Sequence, residues 1–590
     1  MEWLVYSQYI KRLKAEKRNP TYKGGKMKFV SLLSALIGAL VPTAAFAETV
    51  NSAPRLILQI TVDQLRGDLP GRYADRYGEG GFRYLLEKGT HYSNAHHQHS
   101  NLETIVGHVV LATGAFPSAH GMVANVWMDR ETGEVGYAIE DAAYDMVGLK
   151  GDVDKKSELD PTQAAAKSGG RSPRAILTST FSDELAVTTA GRAKIFGVSV
   201  KDRGAISLAG HAGKAFWFSK KTGEFVSSTY YYEQYPNWME KWNKKRLVDS
   251  YEGKSWELLQ DRSKYVYRDT DDRPYETALP GYGRVFPHPF GKKDNKLFYT
   301  LLTLSPVGDK LTLDFAKNLI EKEQLGRDEV PDYLAISFSS TDYVGHFFGI
   351  ASLESEDNML RLDRTLADLF GYVDKKIGLK NILIVLSADH GAPEAPEYMA
   401  SLGMDVNRLT PSTYDATPAV EALKKRFGIG KELIKMYKHP YVYLDHSVIR
   451  EKGLDRAEVE RALAEELMKF DGIALAVSSS DLRSGSLPEA PMIQQIRRNF
   501  HPKRSGDIYL VQKPYWFLYS EESVPLCTIH GSPWRYDTYV PVIFAGAGVP
   551  AQRIDRLVHP VDIASTLSAY VGSKPPSAAA GKPLVEVLNR

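Results

Sequence analysis

Residues 381–391 read Asn-Ile-Leu-Ile-Val-Leu-Ser-Ala-Asp-His-Gly. Ile382 to Leu386 form an unbroken apolar run of strand length, and an aspartate, a histidine and a glycine follow almost at once. A strand apolar at every position is buried on both faces, as in a parallel sheet covered by helices on either side. Leu56 to Val62, Tyr333 to Phe338 and Tyr539 to Phe544 are further strand candidates of this kind. Between them, stretches such as Met359 to Lys376 repeat Leu and Phe at spacings of three and four, the period of a helix. The fold expected is α/β: a doubly wound, mostly parallel sheet with helices on both faces.

Such sheets bind ligands where their strands end on the carboxyl side. Asp389 and His390 stand there, and so does Asp63 after the first strand. Asp342 and His346 follow the Tyr333 to Phe338 run, four apart and hence on one face of a helical turn. A late histidine, His530, lies in Thr528-Ile-His-Gly531. Three aspartates and three histidines make a mixed oxygen and nitrogen set, which suits two zinc ions better than magnesium, calcium or a thiolate site. A single strand-end aspartate is more often a helix cap; the conjunction of all six favours metal. The segment Ser100-Asn-Leu-Glu-Thr-Ile-Val-Gly-His108 supplies a hydroxyl, Thr104, that could open a helix. Beside zinc such a hydroxyl can ionise and attack phosphorus, although that segment alone reads as a plain N-cap.

Taken together, these motifs resemble the alkaline phosphatase superfamily. They are closest to its branch of type I phosphodiesterases, nucleotide pyrophosphatases and phosphate-irrepressible periplasmic alkaline phosphatases. Thr104-x-x-Gly-His108 resembles that branch's nucleophile segment, and Asp342-x-x-x-His346, Asp389-His390-Gly391 and His530-Gly531 resemble its metal motifs in order. The similarity runs from about Arg55 to Tyr570. It implies one zinc on Asp342, His346 and His530, and a second on Asp63, Asp389 and His390, with Thr104 beside the second. Lys201-Asp-Arg203 resembles the Lys-x-Arg element of the monoesterase members, and Asn125 their phosphoryl-binding asparagine. Arg and Lys donors favour a monoester dianion over a diester. The activity implied is therefore a zinc-dependent alkaline phosphatase with a phosphothreonine intermediate, and the alternative is a phosphodiesterase or nucleotide pyrophosphatase. A sulfatase lacks support, since no Cys-x-Pro-x-Arg pattern surrounds Cys527.

The rest of the chain sets bounds. It has 590 residues with a formal charge of +2, too balanced to argue for nucleic acid. Met27-Lys28, the apolar run Phe29 to Leu40 and Ala45-Phe46-Ala47 read as a signal peptide over 27–47, with residues 1–26 a spurious or extended start. Removing residues 1–47 takes eight Lys/Arg from 74 and two Asp/Glu from 72, leaving 66 against 70. An exported chain with one cysteine makes no internal disulfide, which points to a bacterial periplasm or exterior. No second long apolar run follows, so the mature chain is expected to be soluble, without a membrane partner. A monomer acting on small phosphate monoesters is expected. Residues 48–590 form the catalytic domain, with insertions at about 210–295 and 393–523. His96, His97 and His99, in a loop ahead of Thr104, read as structural or exposed rather than metal-binding, His108 and His120 as backbone braces, and Tyr230 to Tyr235 with Trp238 as lid packing.

Overall fold

The computed structural model describes residues 53–588, apart from 131, 149–154 and 520–524. The segment read as a signal peptide lies outside the described residues. Among the described residues no helix is long and apolar enough to cross a membrane.

Nine strands form the main sheet: β1 (Leu56–Val62), β2 (Thr90–His96), β3 (Ile195–Ser199), β4 (Lys214–Ser219), β5 (Glu224–Val226), β6 (Asp332–Phe338), β7 (Ile382–Ser387), β8 (Tyr539–Gly546) and β9 (Gln552–Ile554). Their order is β9-β2-β8-β7-β1-β6-β3-β4-β5. From β7 to β4 all neighbours are parallel. The two reversed strands are β8, which runs against both β7 and β2, and the edge strand β5. Tyr539 to Phe544, expected from its apolar pattern to fit a parallel sheet, is thus the antiparallel member. Burial identifies a doubly covered strand, but it does not encode direction.

Alternate residues of the central strands enter two different cores. Leu56, Leu58 and Ile60 join Ile384 and Ile336 on one face, while Ile57, Leu383 and Tyr333 pack on the other. Period-two alternation with apolar residues on both sides gives a sheet covered twice. The helix read from Met359 to Lys376 begins earlier, at Leu353, where the Ser352 side chain accepts from Ser355 N–H as an N-cap.

One boundary differs from the sequence reading, and one insertion holds more than the helices read in it. The first insertion is expected from about 210, but β4 and β5 continue the main sheet to Val226. Of the two, only Glu224–Val226 is an edge strand; Lys214–Ser219 pairs on both sides and buries Ala215 to Phe218, an apolar run of four that is too short to stand out beside the aromatic and charged stretch that follows. In the second insertion, Ile434–Lys438, Tyr441–Leu444, Ile508–Gln512 and Ile473–Ser478 form a four-stranded antiparallel sheet with its own core. The aromatics read as lid packing do pack: Tyr232 stacks on Phe216 with ring centroids 5.4 Å apart, and Trp238 Nε1 donates to Glu323 Oε1 at 2.6 Å.

Register places the site. Leu56 faces Asp332 and Ile382, and Thr61 faces Ser337 and Ser387, so β1, β6 and β7 end level. Ser199 of β3 faces Ser337. Asp63, Asp342, Asp389 and Lys201 therefore emerge at one end of the sheet. The reversed strand β8 begins at that end, because Val542 faces Ser387 and Tyr539 faces His96. Its approach brings His530, and the exit from β2 leads to Thr104.

Candidate active site

Thr104 opens the helix Thr104–Thr113, every residue of which is buried. Glycine at 107 is required by a close crossing, since a Cβ there would run into the backbone of Asp389. One residue on, His108 Nδ1 stands 2.9 Å from Asp389 Oδ2 and 2.9 Å from the Thr104 carbonyl. The Gly-His pair thus packs the helix against the end of β7. His108 braces a side chain as well as backbone, which goes beyond the role expected for it.

The three candidate histidine ligands share one arrangement. His346 Nδ1 faces the Thr528 carbonyl at 2.8 Å, His530 Nδ1 the Leu102 carbonyl at 2.6 Å, and His390 Nδ1 the Gly391 carbonyl at 3.0 Å. A proton on each Nδ1 satisfies those carbonyls and leaves each Nε2 lone pair free, the usual orientation of a metal-binding imidazole. The Nε2 atoms converge on the carboxylates. His346 and His530 lie 3.2 and 3.4 Å from Asp342 Oδ1, and His390 lies 3.5 Å from Asp63 Oδ1 and 3.3 Å from Asp389 Oδ2. The rings of His390 and His530 stack 3.6 Å apart.

Three buried carboxylates this close repel one another. Burial and the Asp389 carboxylate push Asp63 well above the usual carboxylate range, against the pull of Lys201. Burial would raise Asp342 and Asp389 too. His346 and Lys201 hold Asp342 well below its ordinary value, and His390 and His108 do the same for Asp389. Both Asp63 oxygens, Asp389 Oδ2 and His390 Nε2 are buried without a hydrogen bond of good geometry. A mixed O/N set, unsatisfied lone pairs and excess negative charge fit divalent cations such as zinc. Two trios of donor atoms each lie within 4.8 Å: Asp342, His390 and His530, and Asp63, His108 and Asp389. The resemblance assigned His346 to the first trio and His390 to the second. Here His390 sits between them, within 3.5 Å of Asp63 and stacked on His530.

Lys201 and Arg203 are fully or almost fully buried, although three consecutive charged residues more often mark a solvated surface turn. Lys201 Nζ pairs with Asp63 Oδ2 at 2.9 Å and with Asp342 Oδ2. Arg203 Nη2 donates to Thr104 Oγ1 at 3.3 Å, and Nη1 pairs with Asp160 at 2.8 Å. Asn125 Oδ1 accepts from Ile105 N–H at 3.0 Å, tying it to the first turn of the Thr104 helix. Thr104, Asn125, Arg203, Asp342, His346 and His530 line one cleft, and Phe347, Leu526 and Ile529 form its apolar wall.

Sequence reasoning missed several neighbours. Asp160 holds Arg203 and caps Pro161–Ala164 by accepting from Thr162 N–H; the Asp-Pro-Thr signature gives the cap but not the arginine. Glu103 accepts from Asn125 N–H at 2.8 Å and from Asn101 Nδ2 at 3.1 Å, and burial pushes it up to about 7. Gln64 donates to Asp342 and Asp389. His97 Nε2 lies 3.1 Å from the Ala388 carbonyl, in keeping with its structural reading. Cys527 is buried and burial pushes its thiol far up, which suits packing rather than nucleophilic chemistry.

Comparison with known proteins adds to this geometry. Residues 57–534 match the family model of type I phosphodiesterase / nucleotide pyrophosphatase. Alkaline phosphatase PafA of Elizabethkingia meningoseptica is 34% identical over 94% of this chain and 99% of its own. Its crystal structure superposes with a TM-score of 0.81, covering 91% of this chain and 99% of that one. A protein of Myroides odoratus named as a calcium-transporting ATPase is 35% identical over 96% of this chain and its full length. A solved variant of PafA, with a threonine, an asparagine, a lysine and an arginine substituted, matches equally well, at a TM-score of 0.81.

Proposed function

The chain belongs to the type I phosphodiesterase / nucleotide pyrophosphatase family, within the alkaline phosphatase superfamily, and we infer that it is an alkaline phosphatase cleaving phosphate monoesters at Thr104. The observation that carries this reading is Arg203, buried and donating to the Thr104 hydroxyl from the cleft wall. The residue types altered in the PafA variant are the four read here as catalytic, and the spacing within each pair is the same. The reading includes export to the periplasm and action as a monomer.

Asp63, Asp342, His346, Asp389, His390 and His530 would hold two zinc ions, with Thr104 beside one of them. When bound, such ions lower the pKa of a neighbouring hydroxyl and stabilise a departing oxygen. Thr104 Oγ attacks phosphorus in line as the bond to the leaving oxygen breaks, giving a phosphothreonine. Water then attacks the same phosphorus, breaks the bond to Oγ and releases inorganic phosphate. Arg203 and the Asn125 amide hold the non-bridging oxygens, and Lys201 adds positive charge beside the aspartates. These donors are already placed, so little reorganisation is needed as charge shifts. The Thr104 helix directs its positive N-terminal end at the same group.

The apolar wall of Phe347, Leu526 and Ile529 favours one alternative, a diester whose second substituent rests there. Hydrolysis of p-nitrophenyl phosphate, bis-p-nitrophenyl phosphate and p-nitrophenyl sulfate, with and without chelator and alongside metal analysis, separates the readings. Monoester turnover that dominates and follows zinc content is expected. Dominant diester turnover would reverse the assignment.

A further inference from the structure

Gln64 touches an aspartate from each proposed cation set. It follows Asp63 directly and is completely buried. Its φ of 70° lies in the left-handed region, uncommon for a residue with a side chain. That twist turns its two donors in different directions. The backbone N–H reaches Asp389 Oδ1 at 3.1 Å, and the side-chain Nε2 reaches Asp342 Oδ1 at 2.9 Å. Gly345, one residue short of His346, gives the amide its room, since a Cβ there would overlap Gln64 Oε1. A strained residue persists only where its surroundings fix it, and such residues gather at functional sites.

We propose that Gln64 is a positioning residue that couples the two cation sites, setting the separation of Asp342 and Asp389 through one rigid turn. The inference rests on the two-cation reading above. An amide suits this role because Nε2 is a donor only, so it orients a carboxylate without competing for the ion as an anion would. Outer hydrogen bonds of this kind typically change metal affinity by roughly 10–100-fold.

The test reads zinc content, by elemental analysis, of the holoenzyme dialysed against graded chelator. Gln64→Met keeps the volume and the backbone N–H but removes the Nε2 donor. It is expected to release one zinc at a chelator concentration at least about tenfold lower than wild type, with the second ion leaving in a separate step. Gly345→Ala displaces the same amide and should give the same early release. The double variant should be no worse than either single one, because both remove one interaction. If Gln64→Met lowers thermal stability but leaves the zinc profile unchanged, Gln64 is only packing and the proposal fails. If Gln64→Met does not fold, Gln64→Asn, which tolerates the left-handed backbone but is one carbon too short, decides in its place. Wild-type protein that holds no zinc would instead defeat the two-cation reading itself.

Discussion

Two clusters of buried carboxylates differ in what surrounds them. At the end of the main sheet, Asp63, Asp342 and Asp389 meet four imidazoles, with Lys201 among them and Arg203 beside them. Within the first insertion, Asp271 and Glu276 lie beside Glu354, whose Oε1 is 3.1 Å from His288 Nε2, and the one cation paired there among the described residues, Arg262, is held by Asp271 at 2.8 Å. In the second cluster burial and Glu354 push Glu276 up to about 9, and burial with Asp271 raises Glu354 well above its ordinary value. Burial also holds His288 down at about 4, so it offers no positive charge at neutral pH. Glu276 and Glu354 therefore keep their protons, while Asp342 and Asp389 in the first cluster are held ionised. Crowded carboxylates alone do not make a site; the cationic and lone-pair partners decide whether the charge is retained for chemistry.

The contrast breaks most sharply at Thr104. Thr104→Ala should lower monoester kcat/KM by at least about a thousandfold, in line with loss of other nucleophiles, while zinc content stays at the wild-type value. Thr104→Ser should keep substantial activity, since the hydroxyl remains. Stripping the protein with EDTA should abolish turnover and added zinc should restore it; full activity without metal would put both clusters in the same structural category.

Next comes the cationic edge. Charge-assisted hydrogen bonds are worth about 1.5–3 kcal/mol each, so Lys201→Ala/Arg203→Ala should cost on the order of a hundredfold or more in kcat/KM on an aryl monoester. The matched diester, with less charge to hold, should lose much less. Equal proportional losses would bring the diesterase reading to the front. Gly107→Ala should have a smaller effect, about tenfold in activity with weakened zinc retention, because its Cβ presses on the Asp389 backbone.

The smallest change is expected in the second cluster. Glu276→Gln should leave kcat/KM within about threefold but alter the pH dependence of stability. The folded state of the wild type binds the Glu276 proton up to about 9, whereas the unfolded chain releases it near 4.5. Between those values the native state binds more protons, so stability falls as pH rises. The glutamine carries no such proton, and its melting temperature should decline less between pH 5 and 9 in scans of both proteins.

What was legible in the sequence follows the same division. The strands β1, β6, β7 and β8 were visible because all of their faces are buried, and continuous apolar runs announce that. By contrast β2 reads Thr-His-Tyr-Ser-Asn-Ala-His, where polar residues dilute the pattern, and β4 was absorbed into an insertion because its buried Ala-Phe-Trp-Phe run is short and leads into an aromatic, charged stretch. The proposed ligands were legible through motifs whose residues stay close in the chain, such as Asp389-His390. Gln64, Glu103 and Asp160 were not, since each acts on a partner fixed only by long-range approach: Asp342 and Asp389, Asn125, and Arg203. Their residue types are commonplace, and nothing local distinguishes them from caps and turns.

The register of β1 bears on the history of the molecule as well as its shape. Leu56 pairs with Asp332 and Ile382, the nearer of them 276 positions downstream (332 less 56). The first strand made therefore has no neighbour until more than half the chain has left the ribosome. Contacts so distant along the sequence carry a large loop-closure cost and slow folding. For a polypeptide proposed to leave the cell interior as an unfolded thread, that delay is useful. The centre of the sheet, from which the proposed catalytic groups emerge, cannot assemble early, and the chain can cross before it closes.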